Sequence, residues 1–233
     1  MSSVPATDWS VPLIGGKHQF LLRRLHSLTG VLFGGYVLFH LFINATIAQG
    51  GKVYQTQVQG IHNLPFLWVI EWTFIYLPIL FHTVYGVWIT LTGQPNLYNY
   101  PFARNTLYLL QRISAVVLVV FIAFHVLSLK YGWFGARYAF APDRAMSTVG
   151  RHFDASPVVT WVLYPVGVLA ACFHLANGLW TAAITWGLTI SAAAQRRWGF
   201  ICAAVFAVAL VAGLTALIAA IRLDVSALRA AGQ

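Results

Sequence analysis

Charge is scarce in this sequence. Only 8% of its 233 residues are Asp, Glu, Lys or Arg, and 59% are hydrophobic, whereas a soluble domain carries about 25% charged residues. So little polar surface excludes an ordinary water-soluble globule. Cysteine is nearly missing as well: Cys172 and Cys202 both lie in apolar runs and form no CxxC or CxxCH element. That argues against a disulfide framework, a zinc knuckle and covalently attached c-type haem. The formal net charge is +9, yet no run of five or more basic residues occurs. Nucleic acid is therefore not an expected partner, and the scattered cations suit anionic lipid headgroups and neighbouring subunits. The opening MSSVPATDWSVPLIGGKHQF lacks the charged n-region, short apolar core and cleavage site of a signal peptide, so the first span is expected to act as its own insertion signal.

What the chain has instead is long apolar stretches, each above the roughly 20 residues that cross a bilayer core as a helix. Five spans are predicted: I from Leu25 to Ala48, II from Phe66 to Leu91, III from Leu107 to Leu129, IV from Pro157 to Gly187 and V from Trp198 to Ile221. The expected fold is all-α integral membrane, a single domain over residues 1–233. An odd number of spans puts the termini on opposite sides. Lys17, Arg23, Arg24, Arg104, Arg112, Arg196 and Arg197 lie on the N-terminal side, against Lys52, Lys130, Arg137, Arg144, Arg151, Arg222 and Arg229 on the other. Seven against seven is a tie. The tighter clustering of the first set at span ends favours a cytoplasmic N-terminus.

Four of the eight histidines fall inside spans, one in each of the first four: His40, His82, His125 and His174. Ionisable groups in spans are rare, and one per span points to function rather than to incidental hydrogen bonding. The stretches FHTVYGVW (81–88) and FHLANGLW (173–180) repeat one pattern. His82 and His174 are 92 residues apart, and His40 and His125 are 85 apart. Spans I and II thus correspond to III and IV as a parallel hairpin repeat. Corresponding histidines must lie at similar depth, so His40 pairs with His125 and His82 with His174. At 1.5 Å rise per residue the first pair lies about 20 to 24 Å from the N-terminal-side boundary and the second roughly 13 to 20 Å from it.

Paired neutral imidazoles inside an apolar helical bundle fit the axial ligation of haem iron. Zinc would require four ligands close together, and an intramembrane proton relay usually interleaves carboxylates, of which only Glu71 is placed for it. Two b-type haems with iron held by His40, His82, His125 and His174 are expected, in a bundle of spans I to IV with span V peripheral. Gly86 and Gly178, four residues after their histidines, share the same helix face one turn on, where a missing side chain admits a flat ring; close helix packing accounts equally for glycine there. His26, 14 residues before His40, stands with Arg23, Arg24 and Arg112 at the boundary. They are candidates for haem propionates or a quinone headgroup, or ordinary topology signals. Glu71 is a candidate for quinone or proton chemistry, or a solvated helix-start glutamate. His18, His62 and His152 fall in connectors and read as surface residues.

The segments RRLHSLTGV (23–31), LPILFHTVYGVWI (77–89), LQRISAVVLVVFIAFHV (110–126) and FHLANGLWTAAITWGLT (173–189) resemble the five-helix, dihaem cytochrome b membrane anchor of type B succinate:quinone oxidoreductases, the succinate dehydrogenase cytochrome b558 family. The resemblance runs from about Phe20 to Ile221. It implies that His82 and His174 hold a proximal, higher-potential haem and His40 and His125 a distal, lower-potential one. It also implies a bacterial inner membrane, a cytoplasmic N-terminus and an outside C-terminus, with flavoprotein and iron–sulfur subunits docked on the cytoplasmic side. Electrons would then pass to a quinone, menaquinone by resemblance. The sequence has no flavin or nucleotide fingerprint and no cysteine set for an iron–sulfur cluster, so the dicarboxylate chemistry belongs to the partners. A haem b anchor of fumarate reductase, formate dehydrogenase or hydrogenase is the alternative. A transporter or purely structural anchor would call for discontinuous helices with unwound polar midsections. The long III–IV connector and the first twenty residues have no counterpart in the resemblance.

Overall fold

The computed structural model describes residues 16–94, 97–99 and 101–223. Most of the N-terminal extension and Arg229 lie outside the described residues, as does the Lys17 side chain. All regular structure among the described residues is helical: α1 (Gly16–Ala45), α2 (Gly51–His62), α3 (Leu67–Glu71), α4 (Leu77–Thr92), α5 (Ala103–Leu129), α6 (Ala145–Asp154), α7 (Tyr164–Thr185) and α8 (Ala192–Ile221). Five continuous helical segments are long and apolar enough to cross a membrane: His18–Gln49, Leu67–Thr92, Ala103–Leu129, Val159–Thr185 and Ala192–Ile221. They match the five expected spans.

Spans I, III and V begin as helices earlier than their apolar runs do. Span V starts at Ala192, where the Ser191 hydroxyl caps it by accepting from the Ala194 amide at 3.1 Å. Arg196 and Arg197 therefore ride on the first turns. Hydropathy marks where lipid begins, whereas the cap marks where the backbone turns helical.

Spans II and IV each contain one wide π turn, Trp72–Tyr76 and Val159–Leu163. The cause is a proline just beyond each. Pro78 and Pro165 carry no N–H for the carbonyl four residues back, and their rings clash with it. Those carbonyls belong to Phe74 and Trp161, both within the π turns. Widening one turn absorbs the clash without unwinding the span.

Packing places α1 and α7 centrally. Helix α7 packs on α1, α5 and α8, while α1 packs on α4 and α8. The four histidine-bearing helices form a square in which α1 opposes α5 and α4 opposes α7. Helix α8 lies outside it, against α1 and α7, through Cys202, Ala209, Ala212, Gly213, Ala216 and Ala220. With no hydrophobic drive between helices in lipid, small residues at helical spacing supply close van der Waals contact instead. A Cβ on Gly213 would sit 2.6 Å from Val168 Cγ1.

The connectors I–II and III–IV are folded rather than loose. Tyr54 and Val58, one turn apart on α2, bury against Ala145, Met146 and Val149 of α6, with Ile47 and Ala220 completing the cluster. This cap closes the end of the bundle opposite the N-terminus. Gln55 ties it: its amide donates to the Pro142 carbonyl at 2.6 Å and its carbonyl accepts from the Ala145 amide at 2.8 Å. Two such bonds contribute about 1 kcal/mol each. Gln55→Ala is expected to lower the opening free energy of α6 by about 2 kcal/mol, read as faster amide exchange over residues 145–154.

One sequence expectation fails here. His18 and His62 are exposed, but His152 is fully buried. Helix α6 folds its apolar face onto the bundle end, and this carries His152 inward among polar partners. A connector position is no guide to exposure once the connector is an amphipathic helix.

Candidate paired-histidine centre

The square arrangement sets the histidine pairs across its diagonals. His40 and His125, on α1 and α5, have ring centroids 5.8 Å apart and planes at 89°. His82 and His174, on α4 and α7, have centroids 6.1 Å apart and planes at 82°. Two imidazoles on opposite sides of one metal ion, with metal–nitrogen bonds near 2 Å, bring their centroids to roughly 6 Å. All four histidines are half-buried residues.

The second ring nitrogen is engaged in three of the four. His82 Nδ1 lies 3.0 Å from the His26 carbonyl. A carbonyl only accepts, so Nδ1 carries the hydrogen. His174 Nδ1 lies 3.1 Å from Ser114 Oγ, whose own hydrogen goes to the Gln111 carbonyl at 3.0 Å; here too Nδ1 donates. His125 Nδ1 lies 3.1 Å from the Tyr164 hydroxyl. This is the outer arrangement of a ligating imidazole, with Nδ1–H held by an acceptor and Nε2 left for metal. The residues fit iron held by two imidazoles.

Beside His82, the His26 ring stacks on it at 4.0 Å with planes 11° apart. A Cβ on Gly86 would stand 3.2 Å from His26 Cε1, and one on Gly178 would stand 3.6 Å from Gln111 Nε2. Gly86 thus gives room to His26. Gly178 faces Gln111, which donates to the His174 carbonyl at 3.1 Å and accepts from the Asn177 amide at 2.8 Å.

The N-terminal end of the bundle carries unspent donors. Arg24 lies over Phe20, 4.2 Å from its centroid, and Arg112 lies over Tyr108, 3.4 Å from its centroid, while also bonding the Tyr108 hydroxyl. Arg24 Nε, Arg112 Nε and His26 Nδ1 are buried without hydrogen-bond partners. Such orphans are costly, and the two guanidinium nitrogens among them could hold anionic oxygens. Arg23 is exposed.

At the opposite end, Glu71 pairs with Lys130 at 3.0 Å, and Lys130 also bonds the Tyr76 hydroxyl. Burial works against the Lys130 ammonium, but the Tyr76 hydroxyl and Glu71 carboxylate leave it above the usual lysine value. Glu71 is thus neither free nor simply solvated. At 27% side-chain exposure it sits at the edge of the bundle.

Residues that spacing did not single out complete the centre. Gly30 of α1 lies against His82: a Cβ there would stand 2.5 Å from Cε1 and 2.8 Å from Nδ1. Ser114 precedes His125 by 11 residues, three turns, on the same face of α5. Its partner, however, is His174 on another helix. Tyr164 contacts His125 Nδ1 at 3.1 Å and also His152 Nε2 at 2.7 Å. Burial lowers the His152 ring below the ordinary imidazole value, with the Tyr138 carbonyl working the other way.

Comparison with known proteins accords with this geometry. The profile of the succinate dehydrogenase/fumarate reductase transmembrane subunit family matches residues 94–219. The succinate dehydrogenase cytochrome b558 subunit of Bacillus subtilis (strain 168) is 33% identical over 208 residues, covering 88% of this chain and 99% of the relative. The chain, a multi-pass helical membrane protein, therefore belongs to the succinate dehydrogenase/fumarate reductase transmembrane subunit family, as a homologue of cytochrome b558.

Proposed function

We propose that the chain is a dihaem membrane anchor that carries electrons from an iron–sulfur subunit to a membrane quinone, as one membrane-embedded domain over residues 1–233. The observation that carries this is the pair of diagonals, each ending in two imidazoles at a separation suited to one iron between them. Haem b would supply reversible one-electron chemistry at a potential set by its axial ligands and surroundings. His82 and His174 would hold the proximal group, and His40 and His125 the distal one. Gly86 would make room for His26 beside the proximal pair, and Gly178 for Gln111. Arg24, Arg112 and His26 would bind its carboxylates, with Arg23 at the exposed rim.

The N-terminal end of the bundle is the end we assign to the cytoplasm, where flavoprotein and iron–sulfur subunits would dock. The inner membrane of a bacterium is the corresponding location, with the C-terminus outside. Glu71, held by Lys130 beside Tyr76, would meet a quinone headgroup, menaquinone by class, and exchange its protons at the opposite end. Whether succinate is oxidised or fumarate reduced follows from the quinone potential and the partners, not from this chain.

The test is a haem extraction assay with a reduced-minus-oxidised spectrum on the complex purified through this subunit. Two protohaems per chain and a co-purifying flavoprotein are expected. Fewer than two haems would sink the paired ligation, and a complex without flavoprotein would sink the succinate or fumarate assignment.

A further inference from the structure

A chain of hydrogen bonds leaves His125 and runs out of the bundle into the III–IV connector. Its direction can be worked out from the far end. The Tyr138 carbonyl lies 3.2 Å from His152 Nδ1 and can only accept, so Nδ1 carries the His152 hydrogen. In the neutral ring Nε2 is then an acceptor. The Tyr164 hydroxyl, 2.7 Å away, donates to it. A hydroxyl has one hydrogen, so toward His125 Nδ1, at 3.1 Å, Tyr164 Oη accepts. His125 therefore carries its hydrogen on Nδ1 and keeps the Nε2 lone pair. One carbonyl on a connector thus selects the tautomer of an intramembrane histidine three groups away.

We propose that Tyr164 and His152 are positioning residues for His125: they hold it in its metal-binding tautomer and, by drawing on its Nδ1–H, lower the reduction potential of the group it ligates. The proposal rests on the reading that His40 and His125 hold a haem. Donation of Nδ1–H raises the basicity of the ligating nitrogen, and a more basic ligand favours the oxidised metal. The donation is strengthened because Tyr164 is itself a donor, and bonds in series polarise one another. Helix α6 thereby gains a role beyond closing the bundle end: it delivers His152, 0% exposed, onto Tyr164.

A purely structural role for the same residues predicts a different result. A buried histidine satisfied by a tyrosine would affect stability and leave potentials alone. The test is a redox titration of the two haems in the intact complex, with haem content measured on the same samples. Tyr164→Phe removes the acceptor and is expected to shift one midpoint potential upward while the other stays put. His152→Ala is expected to shift the same haem in the same direction. His152→Gln, whose amide can both donate to the Tyr138 carbonyl and accept from Tyr164, should restore the wild-type value. Should Tyr164→Phe retain a single haem, the two His152 variants read the same relay without altering Tyr164.

Unchanged potentials, a downward shift, or equal shifts of both haems would overturn the relay. A wild-type complex with fewer than two haems would instead overturn the ligation on which it rests. The two failures are therefore distinguishable.

Discussion

His82→Ala and His174→Ala are each expected to abolish one of two haems and to abolish the same one, leaving the other with its spectrum intact. His40→Ala and His125→Ala should remove the complementary haem. The selectivity follows from the diagonals: His82 faces His174 at 6.1 Å and His40 faces His125 at 5.8 Å. Losing one imidazole of a pair would leave its partner alone to hold the iron. A loss that crossed the pairs, His82 and His125 variants missing the same haem, would break the proposed arrangement. Low-temperature difference spectra with extraction stoichiometry separate the cases. An independent control lies in the outer contacts. Ser114→Ala removes an acceptor from His174 rather than a ligand, so both haems should remain in that protein.

A second large effect is expected from one methyl group. Gly30 and Gly34 sit one turn apart on α1, and a Cβ on either would come within 2.5 Å of a neighbour. What each would meet differs. At Gly34 the neighbour is Leu175 Cδ1, the far end of a flexible side chain. It can change rotamer, and alanine recovers about 1 kcal/mol of helix propensity over glycine. At Gly30 the neighbour is the His82 ring, with Cε1 at 2.5 Å and Nδ1 at 2.8 Å. That ring is rigid, stacked on His26 at 4.0 Å and tied to the His26 carbonyl at 3.0 Å. It cannot yield without leaving its pair. Overpacking of this kind costs about 1 to 3 kcal/mol, and at Gly30 the displaced group is the proposed ligand itself. Gly30→Ala is therefore expected to lose the His82/His174 haem and lower the thermal midpoint, whereas Gly34→Ala should be close to neutral. Equal behaviour of the two variants in haem content and thermal unfolding would refute the rigid-ring account.

Much of this centre was legible before any fold was known. The pairing of His40 with His125 and His82 with His174 came from two separations, 85 and 92 residues, and from the direction-preserving step of two spans. Depth in a membrane helix is a linear function of residue number, so position along the chain is already position across the bilayer. The same logic found the five spans, which depend only on local composition. Residue number likewise put Arg24, Arg112 and His26 at the N-terminal-side boundary, and what they would bind there belongs to the proposal.

The remaining features depend on neighbours that are distant in sequence. Gly30 meets His82 and Ser114 meets His174 because α1 packs on α4 and α5 on α7, and helix periodicity fixes which face a residue occupies without naming the helix across from it. Gly86 shows the limit from the other side: its spacing pointed to space beside a ring, while the nearest neighbour is the His26 imidazole at 3.2 Å from a virtual Cβ. Glu71 stood out as a lone carboxylate, but its partner Lys130 lies 59 residues on, at the end of another span. His152 was misjudged for the same reason, since exposure in a connector is decided by what the connector folds against.

Composition and span spacing thus determined by themselves that this is a membrane protein of five helical spans, and the histidine repeat named the two pairs that the fold brings together. A low-dielectric slab about 30 Å thick requires every backbone polar group to be bonded within the protein, and apolar runs of this length meet that requirement as helices. The tertiary structure decided which diagonal each pair spans, which acceptor holds each Nδ1–H, and that α6 brings His152 to Tyr164. Those outcomes turn on the azimuth of each helix and on hydrogen-bond geometry accurate to a few tenths of an ångström, and neither is encoded in residue spacing alone.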